Sequence, residues 1–457
     1  MMQKVSLVGK IKSTIKLALP IVIGQLGVML MGLADTIQVG QMKSQVAESL
    51  GASGMAGSIF FTIAIIGLIC LQIISPMISK SVAENNDAEC GNLMRAGIRV
   101  TLILSLLTIL IIAIIGWNYD LFQQSSINKK LTLPYLVLIA ISVIPTFLFA
   151  AFKSFSDGLK RTSIAMNITI LALVLNVIGN HICINGLGPI PAMGLFGAGI
   201  STLLCRIFMA ISLGLYIFKS PSFTKYFAHM GSEHHTWVLE KTILKVGIPA
   251  GFQGFFEIAT FGMAVVMMGW ISSTAQAAHI VAINMASLTY MMATGIAAAG
   301  GIHVGTDIGE KNRAGIFISG NAALLLSIIF MGICAIIMFT CKPWLVRGYT
   351  QEADVIAIAV SLVTWGAIFQ LFDGIQAVSL GLLRGLQDVK IPTAITVVSY
   401  WGVGIPLSYY LGIYGDLGAV GIWIGLTCSL ICSAALLSWR FYARTQVIDF
   451  NSLQVED

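Results

Sequence analysis

The chain has 457 residues, of which 57% are hydrophobic and only 10% charged, and its mean hydropathy is +0.90. Soluble domains carry about 25% charged residues, so this composition excludes a soluble globular protein and points to a polytopic membrane protein. The net charge of +6 is small and spread between apolar runs, which excludes a basic nucleic-acid-binding surface.

Lipid allows only helix bundles and closed barrels to span it. Runs such as Val100–Gly116 show no period-two alternation, so helices are expected. At about 20 apolar residues per span plus connections, the length allows roughly 12. The predicted spans are 15–40, 50–78, 94–116, 132–152, 164–184, 193–218, 243–270, 276–300, 315–340, 355–383, 391–412 and 418–439. Lys4, Lys10, Lys12 and Lys16 precede the first, but the run from Leu17 to Gly40 is too long for a signal-peptide core, so it reads as a retained span. The eight cysteines are scattered, with no CxxC spacing or external pair, and read as small packing residues rather than a metal site or disulfide.

With the N-terminus inside, inner segments hold 20 of the 26 Lys and Arg and outer segments hold five. Such a bias places both termini in the cytoplasm and requires an even number of spans. Residues 219–242 form the one long hydrophilic stretch. They divide the chain into a first lobe (1–218), a cytoplasmic linker (219–242) and a second lobe (243–457). The halves resemble each other: KSTIKLALP (12–20) answers KTILKVGIP (241–249), and VAENNDA (82–88) answers IGEKNRA (308–314). GLKRTSIAM (158–166) answers GLQDVKIPT (385–393), and GLFG (194–197) answers GAVG (418–421). The fold expected is all-α, with 12 transmembrane helices in two pseudo-symmetric six-helix lobes. Both halves start inside, so the repeats are parallel, an arrangement that commonly encloses a central cleft. No GxxxxGK[ST] phosphate loop occurs, which leaves an ion gradient as the natural energy source.

Of the 20 acidic residues only Asp35, Glu257 and Asp373 fall inside the predicted spans. A carboxylate at lipid depth is costly and marks a polar path or a cation site. Helix rise places Asp35, counted from Lys16, about 28 Å above the inner flank; Asn180 and Asn176, counted from Arg161, at about 28 and 22 Å; and Thr202, counted from Lys219, at about 26 Å. These heights allow the four to converge in the outer part of the first half, with Asn176 and Asn180 on one helix face. Glu257 and Asp373 lie at about 18 and 16 Å, near the midplane of the second half. Residue type alone leaves Asn176 and Asn180 open to plain interhelical hydrogen bonding, and Thr202 to a structural role. Arg206, one turn beyond Thr202, either pairs with an acid or snorkels.

Met263, Met267, Met268, Met285, Met291 and Met292 cluster in the seventh and eighth spans. Met-rich surfaces adapt to varied ligands, and Phe255, Phe256, Phe261 and Tyr290 can stack on flat cations. Ordinary packing is the competing reading for all of them. His279 reads as a buried hydrogen-bonding residue before a proton relay.

At these residues the chain resembles the multidrug and toxic compound extrusion (MATE) transporters, in their NorM-like branch. GLADTIQVG (32–40) matches the first-helix motif, FFEIATFGMAVV (255–266) the seventh and FDGIQAVSLGLLRGLQD (372–388) the tenth. FSDGLKRTSIAM (155–166), LNVIGN (175–180) and GLFGAGIST (194–202) match the first-half signature, and the resemblance covers essentially the whole chain. It implies Na⁺- or H⁺-driven antiport of organic, often cationic, drugs from the bacterial inner membrane, by a monomer in lipid with no nucleic-acid partner, no catalytic residue and no cofactor beyond the coupling ion. It implies that Glu257 and Asp373 bind the coupling cation or a cationic substrate. Asp35, Asn176, Asn180 and Thr202 form a cation site, and Na⁺ is possible at either place. Phe255, Phe256, Met263, Tyr290 and Phe369 are the expected substrate-facing residues. Phe369 stands where a NorM-type relative carries a Tyr oxygen ligand, Ile280 where relatives often show Gln, and Asn180 where some have Asp. A lipid-linked-precursor flippase of the same wider superfamily is the alternative, and it would need basic residues lining the cleft. An intramembrane enzyme lacks its motifs: HExxH, GxSxG and GxGD are absent.

Overall fold

The computed structural model describes residues 6–42, 44–189, 191–228, 233–448 and 450, leaving aside the side chains of 233 and 234. Lys4 and Lys43 of the charge bias, residues 229–232 of the predicted linker and 451–457 of the predicted second lobe lie outside these. Among the described residues the regular structure is helical, and 12 helices are long and apolar enough to cross a membrane. They are span 1 (Leu7–Gly40), span 2 (Val46–Ala83), span 3 (Asp87–Trp117), span 4 (Ser126–Gly158), span 5 (Thr162–Asn185) and span 6 (Gly194–Lys219). Then follow span 7 (His235–Ile271), span 8 (Ser273–Gly309), span 9 (Arg313–Arg347), span 10 (Ala353–Gly385), span 11 (Lys390–Tyr414) and span 12 (Gly418–Gln446). The chain is thus an all-α, multi-pass membrane protein, with one helix for each predicted span.

Local chemistry explains the irregularities. Spans 2 and 4 break at Ile73 and Ser142, where the helices Val46–Gln72 and Ser126–Ile141 end. Pro76 and Pro145 each follow by three residues. A proline lacks the N–H that would bond four residues back. Span 11 contains two π-helical stretches, Val398–Gly404 and Tyr410–Tyr414. Asn86 and Asn312 cap spans 3 and 9 by accepting from the backbone of Glu89 and Gly315.

The helices run past the apolar stretches and carry more acids than the three expected. Span 4 reaches Gly158 and includes Asp157, and span 8 reaches Gly309 and includes Asp307. Both are buried, and both have a lysine: Asp157 meets Lys153 at 2.8 Å, and Asp307 meets Lys10 at 2.9 Å while also accepting from the Ser319 hydroxyl. A directly paired acid at a helix end is a structural tie, which separates these two from Asp35, Glu257 and Asp373.

Residues 23–251 form one compact unit, and residues up to Val22 group with those from Phe252 onward in the other. These boundaries differ from the 1–218, 219–242 and 243–457 division drawn from hydrophilicity. They fall inside spans 1 and 7, two residues after the helix-interior Pro20 and Pro249. Packing gives the reason. Lys10 ties the start of span 1 to Asp307 of span 8. Gly247 and Gly251 let the start of span 7 lie against the backbone of Cys70 and Ile66 in span 2. The hydrophilic stretch itself holds a short helix, Pro221–Phe227, anchored by buried Phe223 and Tyr226. Their rings lie 6.1 and 6.2 Å from that of Phe155.

Candidate functional site

In the 23–251 unit, small residues bring spans 1, 5 and 6 into close contact. A Cβ on Gly197 would lie 2.2 Å from the Cys183 carbonyl oxygen, and one on Gly179 would lie 2.6 Å from Ser201 Oγ. A Cβ on Gly27 would lie 3.0 Å from Thr169. The backbones therefore approach where Asn176, Asn180 and Thr202 project. Asn180 Nδ2 donates to Asp35 Oδ1 at 2.6 Å, and Thr202 Oγ1 lies 3.1 Å from Asp35 Oδ2. The Thr202 hydroxyl has one proton, shared between that carboxylate and the Ala198 carbonyl at 3.0 Å. Asn176 faces the same carboxylate; its Oδ1 and that of Asn180 are buried and unpartnered. Buried polar atoms rarely stay unpaired. Two open amide oxygens beside one carboxylate make a donor set suited to a small monovalent cation. Among the described residues no group of three or more His, Cys, Asp or Glu side chains gathers as a divalent or transition metal would need.

In the other unit, spans 8 and 10 meet backbone to backbone. A Cβ on Gly381 would lie 2.3 Å from the Ala297 carbonyl oxygen, and one on Gly301 would lie 2.7 Å from that of Gly381. Span 10 presents Asp373 and, three residues on, Gln376. Glu257 of span 7 accepts from Tyr290 Oη and Gln376 Nε2, both at 3.3 Å on Oε1, and from Gln253 Nε2 at 3.5 Å on Oε2. Each donor is itself neutral and several are held in turn. Tyr400 Oη donates to Gln376 Oε1 at 3.1 Å, and Arg384 donates to Gln253 Oε1 at 3.2 Å. The π-helical turn shifts span 11's register, sending Tyr400 to Gln376 while Trp401 Nε1 donates to the Phe256 carbonyl at 3.1 Å. Asp373 is 3% exposed and accepts no hydrogen bond among the described residues; Glu257 is the charged group acting on it.

All six predicted polar site residues thus fall into two clusters, one in each unit. Gln253, Gln376, Tyr400 and Arg384 were not expected there. Gln253 lies four residues before Glu257 and Gln376 three after Asp373, so helical spacing of polar residues in an apolar run was the available signal. Arg384 lies in the last turn of span 10, yet its side chain turns back to Gln253. Of the aromatic and Met candidates, Phe255, Phe256, Met263 and Tyr290 are half-buried. Phe255 and Phe256 meet edge-on at 5.6 Å and Phe256 meets Trp401 at 6.0 Å. Phe369 differs: at 2% exposure it is enclosed between Phe261 and Trp423, 6.1 and 5.6 Å away. Tyr290 is the candidate whose phenol reaches the acid, donating to Glu257 at 3.3 Å. Met267, Met268 and Met285 are core residues, and His279 is buried, accepting from Trp423 Nε1 at 3.1 Å.

The MatE family model matches residues 20–182 and again 249–410, beginning at Pro20 and Pro249. The chain is 32% identical over 450 residues to the probable multidrug resistance protein NorM of Oceanobacillus iheyensis, covering 96% of this chain and 98% of that one. It is 30% identical over 438 residues to the probable multidrug resistance protein NorM of Idiomarina loihiensis, covering 94% of each. The eukaryotic MATE transporter AtDTX14 superposes with a TM-score of 0.85 at 16% identity, covering 98% of this chain and 97% of that one, which speaks for the fold.

Proposed function

The chain belongs to the MATE family of membrane transporters, and we propose that it is a Na⁺- or H⁺-coupled antiporter exporting organic, often cationic, drugs by alternating access. Its curated relatives are named for multidrug resistance. One observation carries the coupling: Glu257 and Asp373 lie together in span 7 and span 10, with no lysine partner among the described residues, and Glu257 is held by neutral donors. Two carboxylates so placed repel until a cation reaches them. External Na⁺ or H⁺ on the pair displaces a bound organic cation; release of the ion to the cytoplasm recharges the acids and lets the next drug bind. Phe255, Phe256, Met263 and Tyr290 supply the apolar and aromatic surface beside the charge, with Phe369 packed beneath it. Asp35, Asn176, Asn180 and Thr202 form a second candidate cation site.

Two six-span lobes and cytoplasmic termini, supported by the repeat and the 20-to-5 charge bias, belong to this reading, as do a bacterial cytoplasmic membrane and a monomeric state. The flippase alternative asks for open basic groups, whereas Arg206 and Arg384 are both engaged, by Ser142 and Gln253. Proteoliposomes loaded with ethidium should show efflux only under an imposed ion gradient. Gradient-coupled efflux that persists in both Glu257→Gln and Asp373→Asn would rule the pair out as the coupling site.

A further inference from the structure

Arg206 is a charged intramembrane group that the transport cycle leaves without a task. It lies one turn beyond Thr202 on span 6, so it shares the helix face from which Thr202 reaches Asp35. The guanidinium is held in place: it donates to Ser142 Oγ at the break in span 4 and lies 4.6 Å over the Phe60 ring of span 2. Asp35 and the Tyr135 phenol are the titratable groups near enough to act on it. The Cys205 thiol, with Cys183 near it, lies close enough to feel Asp35. A phenol and a thiol are ordinarily neutral at physiological pH. Asp35 is therefore its one anionic neighbour among the described residues.

We propose that Arg206 is the resident counter-ion of Asp35 and sets the ion selectivity of that cluster, balancing the carboxylate so that Na⁺ is turned away. This rests on reading the Asp35 cluster as a candidate cation site. The oxygen set suits Na⁺, but a guanidinium cannot give up its proton in a protein. A Na⁺ at Asp35 would set two positive charges against one negative in a poorly screened interior, with no route to relief. The Glu257–Asp373 pair has two carboxylates to the one guanidinium of Arg384, so it keeps an unbalanced negative charge for a cation to meet.

Radioactive Na⁺ binding to the purified full-length protein in detergent at neutral pH tests this. Wild type and Arg206→Lys are expected to show no binding component that Asp35→Asn removes. Arg206→Gln is expected to gain about tenfold in Na⁺ affinity, and the gain should vanish in Arg206→Gln/Asp35→Asn. Asp35-dependent Na⁺ binding in the wild type, or a folded Arg206→Gln with no gain, overturns the proposal. Should Arg206→Gln not fold alone, recovery of a folded protein in Arg206→Gln/Asp35→Asn supports the pairing and failure to recover it overturns it; where the single variant folds, thermal melts add a second readout. A counter-ion pair requires the neutral double variant to recover stability relative to the summed losses of the single variants, and strict additivity overturns the pairing. The melts require no transport, so they stand or fall independently of the efflux reading.

Discussion

Asp35 takes hydrogen bonds from Asn180 and Thr202 and has Arg206 in its helix group; Glu257 takes them from Tyr290, Gln376 and Gln253 and has Asp373 beside it. Both carboxylates sit on the first span of a repeat, and both are surrounded by neutral amide and hydroxyl donors. The clusters differ in charge. The first holds one acid and one guanidinium, the second two acids and one guanidinium. Hydrogen-bonding capacity is similar in the two, so the proposed difference between them rests on the uncompensated carboxylate.

That contrast can be broken most sharply at the pair. Glu257→Gln or Asp373→Asn should bring gradient-driven ethidium efflux down to background in proteoliposomes, while Asp35→Asn should retain a measurable fraction. Equal and complete loss in all three would erase the distinction. The directly paired acids provide the opposite control. Lys10→Met leaves Asp307 buried without its lysine and should cost about 3–5 kcal/mol of stability, read as a lower melting temperature. The ion dependence of efflux in the protein that remains folded should be unchanged. Gln376→Leu removes one donor to Glu257 and the acceptor of Tyr400, and should weaken the site by about 1–3 kcal/mol. A shift in the cation concentration giving half-maximal efflux measures it. Lys225→Ala is the smallest change. Lys225 is an exposed residue of the helix Pro221–Phe227, 2.9 Å from Asp87, and such surface pairs contribute roughly 0.2–1 kcal/mol. Its hydrogen bond to Asp87 raises the ammonium above its ordinary value. The contribution is therefore complete at neutral pH and is lost only as pH rises through that raised value, which alkaline melts of wild type and variant compare.

The span count, the repeat and the clustering of the six polar residues were legible because lipid makes each of them costly or periodic in sequence. A helix must be long and apolar, and Asp35, Glu257 and Asp373 stand out against that background. What escaped was set by packing. Nothing local marks Asp157 and Asp307 as helical, since the helices outrun the apolar stretches by using Lys153 and Lys10 as partners. Arg384 looked like a flanking charge because its Cα lies near a helix end, while its long side chain reaches back to Gln253. Tyr400 meets Gln376 through a π-helical turn that no residue pattern announced. Within the hydrophilic stretch the average composition concealed Phe223 and Tyr226, which bury against Phe155.

Coupling at Glu257 and Asp373 is tested most directly by ethidium efflux from proteoliposomes under ΔpH alone and under ΔNa⁺ alone, for wild type, Glu257→Gln and Asp373→Asn. Wild-type efflux should follow at least one gradient, and that dependence should disappear in both variants. Efflux that ignores both gradients, or that follows one equally well without either carboxylate, would contradict coupling at the pair.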